Sequence, residues 1–510
     1  MFFLKNKLFI FIIIFSFFFL FFQKYVLVCR INSFSVVGKY GEVVSWFQTG
    51  DNDYTFFLPK NINRSNLKIE IKTNFNNVHV SVSKDKYRSS PLLLCSVTDI
   101  FLYDEFDLFV YKKGLKKQQY HIYVMQSDLP SVFIEIDGGK NSYNKIISDK
   151  KHLTSFSGNA LFFNSNQEMV NYKIKKIRGR GNSTWLRPKK SFQIKFQSPV
   201  SLFDIPNTKK YLLIANHWDF TLSRNYLWFQ LAKNLGMKNI ADIVPIDLYI
   251  NGDYLGNYLF SNKVDSYFEK TNSCLLEITN TLSFQFRLSH GYYISIRYPY
   301  IDKMSDSHQL LLKNEFREML NKIEQKIYDD KVSLEELEKY IDLTSFITYY
   351  WIEEFSLNYD ASRGSNYMYL ENGKLFMGPI WDMDNTMNRS YYYADYDEDY
   401  IFENTLLQSR IFENWFAELR KKDGFSELIQ DYFSRNVEVF ENLPIYLDNY
   451  HEYIKNSAEM NFKRWPYSNI KEEQVRKWVV GNDDYESSYQ LLKKGIFLRL
   501  NYFKNKYSIE

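Results

Sequence analysis

Apolar and polar positions alternate in short runs from about Ile31 to Asp128: "VVSWFQTG", "YTFFLP", "LKIEIKTNF", "VHVSVS", "FDLFVYKKG" and "QYHIYVMQ". A period of two, broken by turn residues at regular spacing, predicts a small antiparallel, all-β sandwich over residues 31–128. The proline in "SDLPSVFIEIDGG" (Ser127–Gly139) marks a boundary, and a fresh strand follows it. Strands continue to "YKIKKIRGRGNSTWLRPKKSFQIKF" (Tyr172–Phe196). "YLLIANHWDFTLSRNYLWFQLAKNLGM" then reads as a strand, a loop and an amphipathic helix, with Asp219 or Thr221 as N-cap and Gly236 closing its end. "VPIDLYINGDYLGNYLFSNKVD" predicts a hairpin that turns at Asn251–Gly252. The period lengthens to that of a helix from Gln309 to Tyr350, and the chain is again largely helical beyond Ile401. Strands early and helices late predict one α+β domain over 129–510, strand-rich at 129–300 and helix-rich at 301–510.

The first 30 residues follow a different pattern. Lys5 and Lys7 precede an uncharged apolar block from Leu8 to Phe22, the layout of an export signal. No small-residue cleavage site follows, and Val28 makes "LVC" a poor lipidation signal at Cys29. The segment is therefore expected to be an uncleaved signal anchor, with a cleaved signal peptide as the alternative. Either places the body of the protein outside the cytoplasmic membrane, tethered or secreted to the surface. Composition adds mostly exclusions. With 64 basic and 60 acidic residues the net charge is only +4, which gives no electrostatic case for nucleic acid. Seven scattered histidines and three distant cysteines argue against a zinc site. In an oxidising compartment Cys95 and Cys274 have the option of pairing, although two buried thiols are the simpler expectation.

Two stretches carry candidate chemistry. In "NYDASRGSNYMYLENGKLFMGPIWDMDNTM" (Asn358–Met387) a helix ends near Ser356 and a polar loop presents Asp360. Asn366 opens a strand that turns at Asn372–Gly373, and the returning strand delivers Asp382 and Asp384. A tight hairpin brings its outer ends together, so Asp360, Asn366 and Asp382 should converge. An acid to align a hydroxyl, with Asn and Asp to hold Mg²⁺, is the layout of a kinase catalytic loop and its metal-binding aspartate. Six positions separate Asp360 from Asn366, where the common kinase loop has five. An ordinary surface hairpin with polar ends fits the same residues. The second stretch is "IRGRGNSTW…PKKSFQIKF". Gly179 and Gly181 with Asn182, Ser183 and Thr184 make a loop whose amides suit phosphate oxygens. Arg178 and Arg180 flank it, and Lys189, Lys190 and Lys195 follow on the next strand. Ordinary turns use the same residues.

"RGNSTW…PKKSFQIKF", "LLIANHWDFTLSRN", "PIDLYINGDYLGNY", "LLEI", "YIDLTSFITYYWIEEFSLNYD", "SNYMYLENGK" and "WDMD" occur in the order of the CotH family of spore-coat protein kinases, which the chain resembles from about Leu129 nearly to its end. The resemblance implies an atypical protein-kinase-like fold. It also implies ATP and Mg²⁺ (or Mn²⁺) as cofactors, and serine or threonine of a surface or coat protein as acceptor. Carried over, Asp360 resembles the catalytic aspartate and Asp382 the metal-binding one, with Asn366 and Asp384 as further metal ligands or supports. Arg180, Asn182 and Lys190 fall in the nucleotide-side block, beside Ser183 and Lys195, and which lysine meets phosphate stays open. One departure stands out: Asn262, in "GNYLFSNKVD", takes the place of a glutamate common in the family.

Rival readings remain. "WDMDNT" matches the D-x-D-x-T of a phosphatase with Asp382 as nucleophile, with "VVGNDD" (Val479–Asp484) as its late metal motif. Such a fold needs alternating strands and helices, which the segment from Ile401 to Lys477 does not offer. A DxD glycosyltransferase lacks its nucleotide-sugar domain. A surface adhesion or binding protein on an inactive kinase-like scaffold also fits, supported by export and by Asn262. Arg224 is open between phosphate contact and a helix-surface or capping ion pair. For Glu353 and Glu354 at least one solvated helix end is expected. Trp185, Trp218 and Trp381 read as core anchors.

Overall fold

The computed structural model describes residues 29–37, 44–75, 78–85, 88–90, 100–163, 169–271, 273–279, 284–358, 360–361, 364–387, 415–467 and 484–509. The expected export segment lies outside them, save for its last two residues, as do Cys95 and nearly all of "VVGNDD". Among the described residues no helix is long and apolar enough to cross a membrane.

The first unit holds β1 (Ile31–Val37), β2 (Ser45–Gln48), β3 (Asp53–Leu58), β4 (Lys68–Thr73), β5 (His79–Asp85), β6 (Arg88–Ser90), β7 (Glu105–Tyr111) and β8 (Gln118–Gln126). A two-stranded sheet, β1–β4, covers a six-stranded one ordered β2-β3-β8-β7-β5-β6. Phe34, Phe56, Leu108 and Ile122 lie in the core between them, as period-two alternation requires. The expectation of a purely antiparallel sandwich needs one correction, because β3 and β8 run parallel.

The strand-rich half closes on itself. β9 (Ser131–Ile136), β10 (Ser155–Phe163), β11 (Met169–Arg180), β12 (Ser191–Leu202), β13 (Ile205–Ile214), β14 (Ile243–Ile250) and β15 (Asp253–Asn262) form a barrel ordered β10-β11-β12-β13-β15-β14-β9. The parallel pairing of β9 with β14 closes it. Helix α1 (Gly139–Ser148) connects β9 to β10. On β11 and β12, Ile174, Ile177, Phe192 and Ile194 fill the barrel, so Lys176, Arg178, Arg180, Gln193 and Lys195 belong to the outward set. The β14–β15 hairpin turns at Asn251 (φ 49°) and Gly252 (φ 83°), as the Asn-Gly pair predicts.

Helix α2 (Arg224–Asn234) lies between β13 and β14, and Gly236 (φ 78°) follows its end. A five-stranded sheet ordered β17-β18-β16-β19-β20 comes next, built from β16 (Cys274–Ile278), β17 (Phe286–Arg287), β18 (Tyr293–Tyr298), β19 (Asn366–Glu371) and β20 (Lys374–Met377). The helical stretch from Gln309 divides into α3 (Asp306–Tyr328) and α4 (Leu343–Phe355), with Asp342 capping α4 through the Ser345 amide. Helices α5 (Phe425–Glu441), α6 (Leu443–Arg464) and α7 (Tyr485–Tyr507) complete the chain. Trp351 of α4 stacks on Phe433 at 4.6 Å and meets Phe503 at 4.8 Å, which ties α4 to α5 and α7.

The sandwich is docked against the barrel. Phe57 stacks on Tyr254 at 4.8 Å, the Tyr254 amide donates to Ser45 Oγ (2.8 Å), and the Arg464 guanidinium covers Phe47 at 3.9 Å. Beneath this contact the buried Asp247 accepts from Tyr254 OH and Ser457 Oγ, both at 2.8 Å, so α6 is fastened to the barrel wall. Cys274 is a buried free thiol on β16 whose pKa burial pushes up to about 11.

Candidate active site

The segment after β20 owes its shape to α2. Arg224 is 1% exposed, and its guanidinium donates to the carbonyls of Thr386 (3.0 Å) and Met387 (3.1 Å) and to Asp219 Oδ1 (2.5 Å). Asp219 also accepts from the Arg224 amide at 2.8 Å, which places it at the start of α2, although Ser223 is the capping position. Trp228 Nε1 donates to Thr386 Oγ1 (2.7 Å), and that hydroxyl donates to the Met383 carbonyl (2.9 Å). The Met383 amide donates to Asn225 Oδ1 at 2.9 Å. Arg224 is therefore neither a surface residue nor a phosphate contact. It is a buried clamp on the backbone that carries the two aspartates.

Held this way, Asp382 adopts φ 62°, a conformation Asp tolerates better than most residues, and its side chain is exposed in a cleft. Burial by the cleft walls, then the charges of Asp360 and Glu277, raise its pKa, while Arg180 opposes them. Arg180 approaches from the end of β11, its guanidinium 6.0 Å from the Trp381 ring centre. Asp384 is half-buried and adds to the negative charge near Arg180.

The predicted convergence is present. Asn366 is buried, its Nδ2 donates to the Asp360 carbonyl at 3.4 Å, and its Oδ1 accepts from Tyr349 OH. Asn385 Nδ2 donates to Asp360 Oδ2 at 3.2 Å, tying the loop after α4 to the aspartate turn. The hairpin between them turns at Asn372 (φ 52°) and Gly373 (φ 79°). Below it, Asn358 Nδ2 donates to Glu353 Oε2 at 2.6 Å. Burial raises the Glu353 carboxyl to about 8, with the Asp360 charge adding to the effect. The expected solvated helix end is thus corrected for both acids. Glu354 is equally buried and accepts from Arg499 of α7 at 2.8 Å.

Three residues that sequence reasoning missed line the same cleft. Glu277 on β16 accepts from Arg297 Nε of β18, and Tyr367, paired opposite Glu277 on β19, lies within electrostatic reach of Asp382 and Arg180. The "LLEI" block contains the signal, an acid in an otherwise apolar strand, but only the strand register shows where it faces.

The nucleotide-side candidates separate. Arg180 reaches the Asp382 cleft. Asn182 is exposed and precedes a short turn, Ser183–Leu186. Gly179 owes its identity to packing, because a Cβ there would stand 2.3 Å from the Trp185 ring. Gly181 (φ 105°) supplies the left-handed turn that a side chain would strain. Lys190 Nζ donates to the Trp185 carbonyl, so it holds this loop in place. Lys195 stands apart, in a basic pocket on the outer face of the barrel. Asn262 is buried, and its Oδ1 accepts from the Asp242 amide at 2.8 Å. Trp185 and Trp381 are buried as expected, while Trp218 is half-buried under Arg187 at 4.2 Å.

Asp382 and Asp384 face the charge of Arg180, and Asp360 adds its own charge at Asp382, an excess of negative charge that suits a divalent cation. Among the described residues no group of three His, Cys, Asp or Glu side chains is placed to hold a metal ion alone. Magnesium does not require such a group, since one or two carboxylates suffice when water and substrate phosphates fill the rest of its shell. Asp382 fits this mode, with Asp384 near it; the Asn366 oxygen already accepts from Tyr349 OH.

The family model of the CotH kinase protein matches residues 177–503, well over half of the chain. The chain belongs to the CotH kinase family. It is therefore a kinase-like protein, and the matched stretch opens on β11 just before Gly179 and closes in α7. The sandwich and the first two barrel strands of this CotH-family chain lie outside the match, which starts later than the resemblance from Leu129 suggested. No curated protein matches the chain.

Proposed function

We propose that the chain is a metal-dependent protein kinase that transfers the γ-phosphoryl group of ATP to a serine or threonine of a surface or coat protein. The convergence of Asp360 and Asp382, opposite Arg180 in one cleft, carries this reading. Asp360, anchored by Asn385 and by the Asn366 amide on its carbonyl, faces the position of an acceptor hydroxyl. The acceptor oxygen bonds to the γ-phosphorus as the bond to the β,γ-bridging oxygen breaks, ADP leaves, and Asp360 receives the hydroxyl proton. Arg180 balances charge on the phosphoryl oxygens. Asp382, with Asp384 as a support, would hold the Mg²⁺ or Mn²⁺, which when bound neutralises the β- and γ-phosphate oxygens. Export by the N-terminal segment, as anchor or cleaved signal, would present the site to acceptors outside the membrane.

The buried setting of Asn262 favours a second reading. Its amide is committed to the Asp242 turn, and no carboxylate is supplied from that position. A binding protein on an inactive scaffold would tolerate this. One assay separates the two: full-length chain with Mg²⁺ or Mn²⁺ and labelled ATP. Label appearing on the protein itself or on a serine-rich acceptor supports the kinase, and neither ATP binding nor transfer would leave the binding protein.

A further inference from the structure

The outer face of the barrel carries a second concavity of about 300 Å³, lined by Lys176, Arg178, Lys195, Lys210, Lys263 and Lys303. The strand register explains the cluster. Lys176 of β11 pairs with Lys195 of β12, and Lys195 pairs with Lys210 of β13, so three ammonium groups belong to one row across the outward face. Lys303 comes from the turn after β18 and covers Tyr300 at 4.5 Å. Like charges side by side on a sheet are unfavourable unless something offsets them. Glu269 offsets Lys210 (2.8 Å) and Asp265 offsets Lys263 (2.5 Å). Among the described residues no acid pairs with Lys176, Lys195 or Lys303, and the single acid in the lining is Asp302. Desolvation, and then the neighbouring lysines, lower the pKa of Lys195.

Position decides what belongs there. Arg180, which faces Asp382, and Lys176 lie on the same side of β11, four residues apart, or roughly 13 Å at the rise of a strand. The pocket thus lies on the same face of β11 as Arg180, with Lys176 displaced along the strand from the phosphates that Asp382 would hold. Nucleotide bases favour mostly apolar walls with a few polar groups, whereas Tyr300 is the one ring among these cations. We propose that the pocket docks acidic side chains of the acceptor polypeptide, so that the preferred serine or threonine lies in an Asp/Glu-rich stretch. The acceptor role rests on the kinase reading; the docking of an acidic chain does not.

The test uses the full-length chain and a fluorescent serine peptide rich in Glu, with an Ala-substituted peptide as control, first without nucleotide. Fluorescence anisotropy should show the Glu-rich peptide binding at least tenfold more tightly, with affinity falling steeply as salt rises. The pair Lys176→Glu and Lys303→Glu should erase that preference. Lys176→Gln with Lys303→Gln, which adds no acid, should weaken it in the same direction should the reversed charges prevent folding. Equal affinity for the two peptides overturns the proposal. So does a variant that keeps the peptide preference but loses labelled-ATP binding, which would assign the pocket to the nucleotide. If phosphotransfer fails while the Glu-rich peptide still binds selectively, the kinase reading falls and the docking site stands.

Discussion

Behind Asp382, helix α2 grips the turn of residues 382–387 through Arg224, Asn225 and Trp228, all buried. On the outer face of the barrel, Lys176 and Lys195 stand with no acid paired to them among the described residues. One wall is satisfied by the protein itself, and the other is left for a ligand to satisfy. Groups that act on a reacting atom gain from being fixed beforehand, since no reorganisation is then needed during the reaction. Groups that recognise a varied partner gain little from internal pairing, which the partner would have to break.

The largest blow to this contrast is Asp382→Ala. Labelled phosphate transfer should fall to background, while thermal unfolding should change little because the carboxylate is exposed in the cleft. Transfer persisting at the wild-type rate would remove Asp382 from the chemistry. Arg224→Ala attacks the same wall from behind. It leaves Asp219 buried without its cation and two carbonyls without their donor, a loss of about 3–5 kcal/mol for a buried pair. Denaturant unfolding should show it. Arg224→Lys should rescue little, because an ammonium cannot span both carbonyls and the carboxylate in the guanidinium's planar geometry.

Glu353→Gln probes the floor beneath Asp360. The carboxyl titrates near 4.5 in an unfolded chain and at about 8 when folded. The folded state therefore keeps a proton that the unfolded state sheds, and this group's contribution to stability falls as pH rises through that window, then levels off above it. Glutamine keeps the shape and an acceptor for Asn358 but does not titrate. The stability difference between wild type and variant should move against the wild type from pH 5 to pH 8, as read from melting temperatures. A constant difference across that range would mean that Glu353 is not held neutral.

The gripped wall was also less legible in the sequence than the hairpin it supports. Asn251–Gly252 and Asn372–Gly373 announce their turns because positive φ is a local demand with a local chemical signature. From the second turn, the meeting of Asp360, Asn366 and Asp382 follows by geometry. The capping ion pair of Arg224 with Asp219, five residues back, is a local feature that the sequence offered, but its carbonyl partners are 162 and 163 residues away and carry no local signature. Glu277 and the barrel depend on non-local pairing too: β16 against β19, and the parallel β9–β14 contact that closes the wall. Local patterns reveal strands, but register decides which acid faces a cleft.

Thr386 offers the finest test of the gripped wall. In the sequence it completes D-x-D-x-T and invites a phosphatase. In the structure its hydroxyl is fully buried, accepting from Trp228 and donating to the Met383 carbonyl. Asp382 also follows the second arm of an antiparallel hairpin, where that phosphatase would need the first strand of a parallel sheet. Thr386→Val keeps the volume but strands an indole N–H and a carbonyl in the interior, a cost of ~1–3 kcal/mol. Thr386→Ser keeps both hydrogen bonds and loses only a methyl group. Denaturation midpoints should therefore rank wild type, then Ser, then Val, with transfer activity following the same order. A serine variant less stable than the valine one would show that the methyl contact, rather than the hydroxyl, secures the aspartate turn.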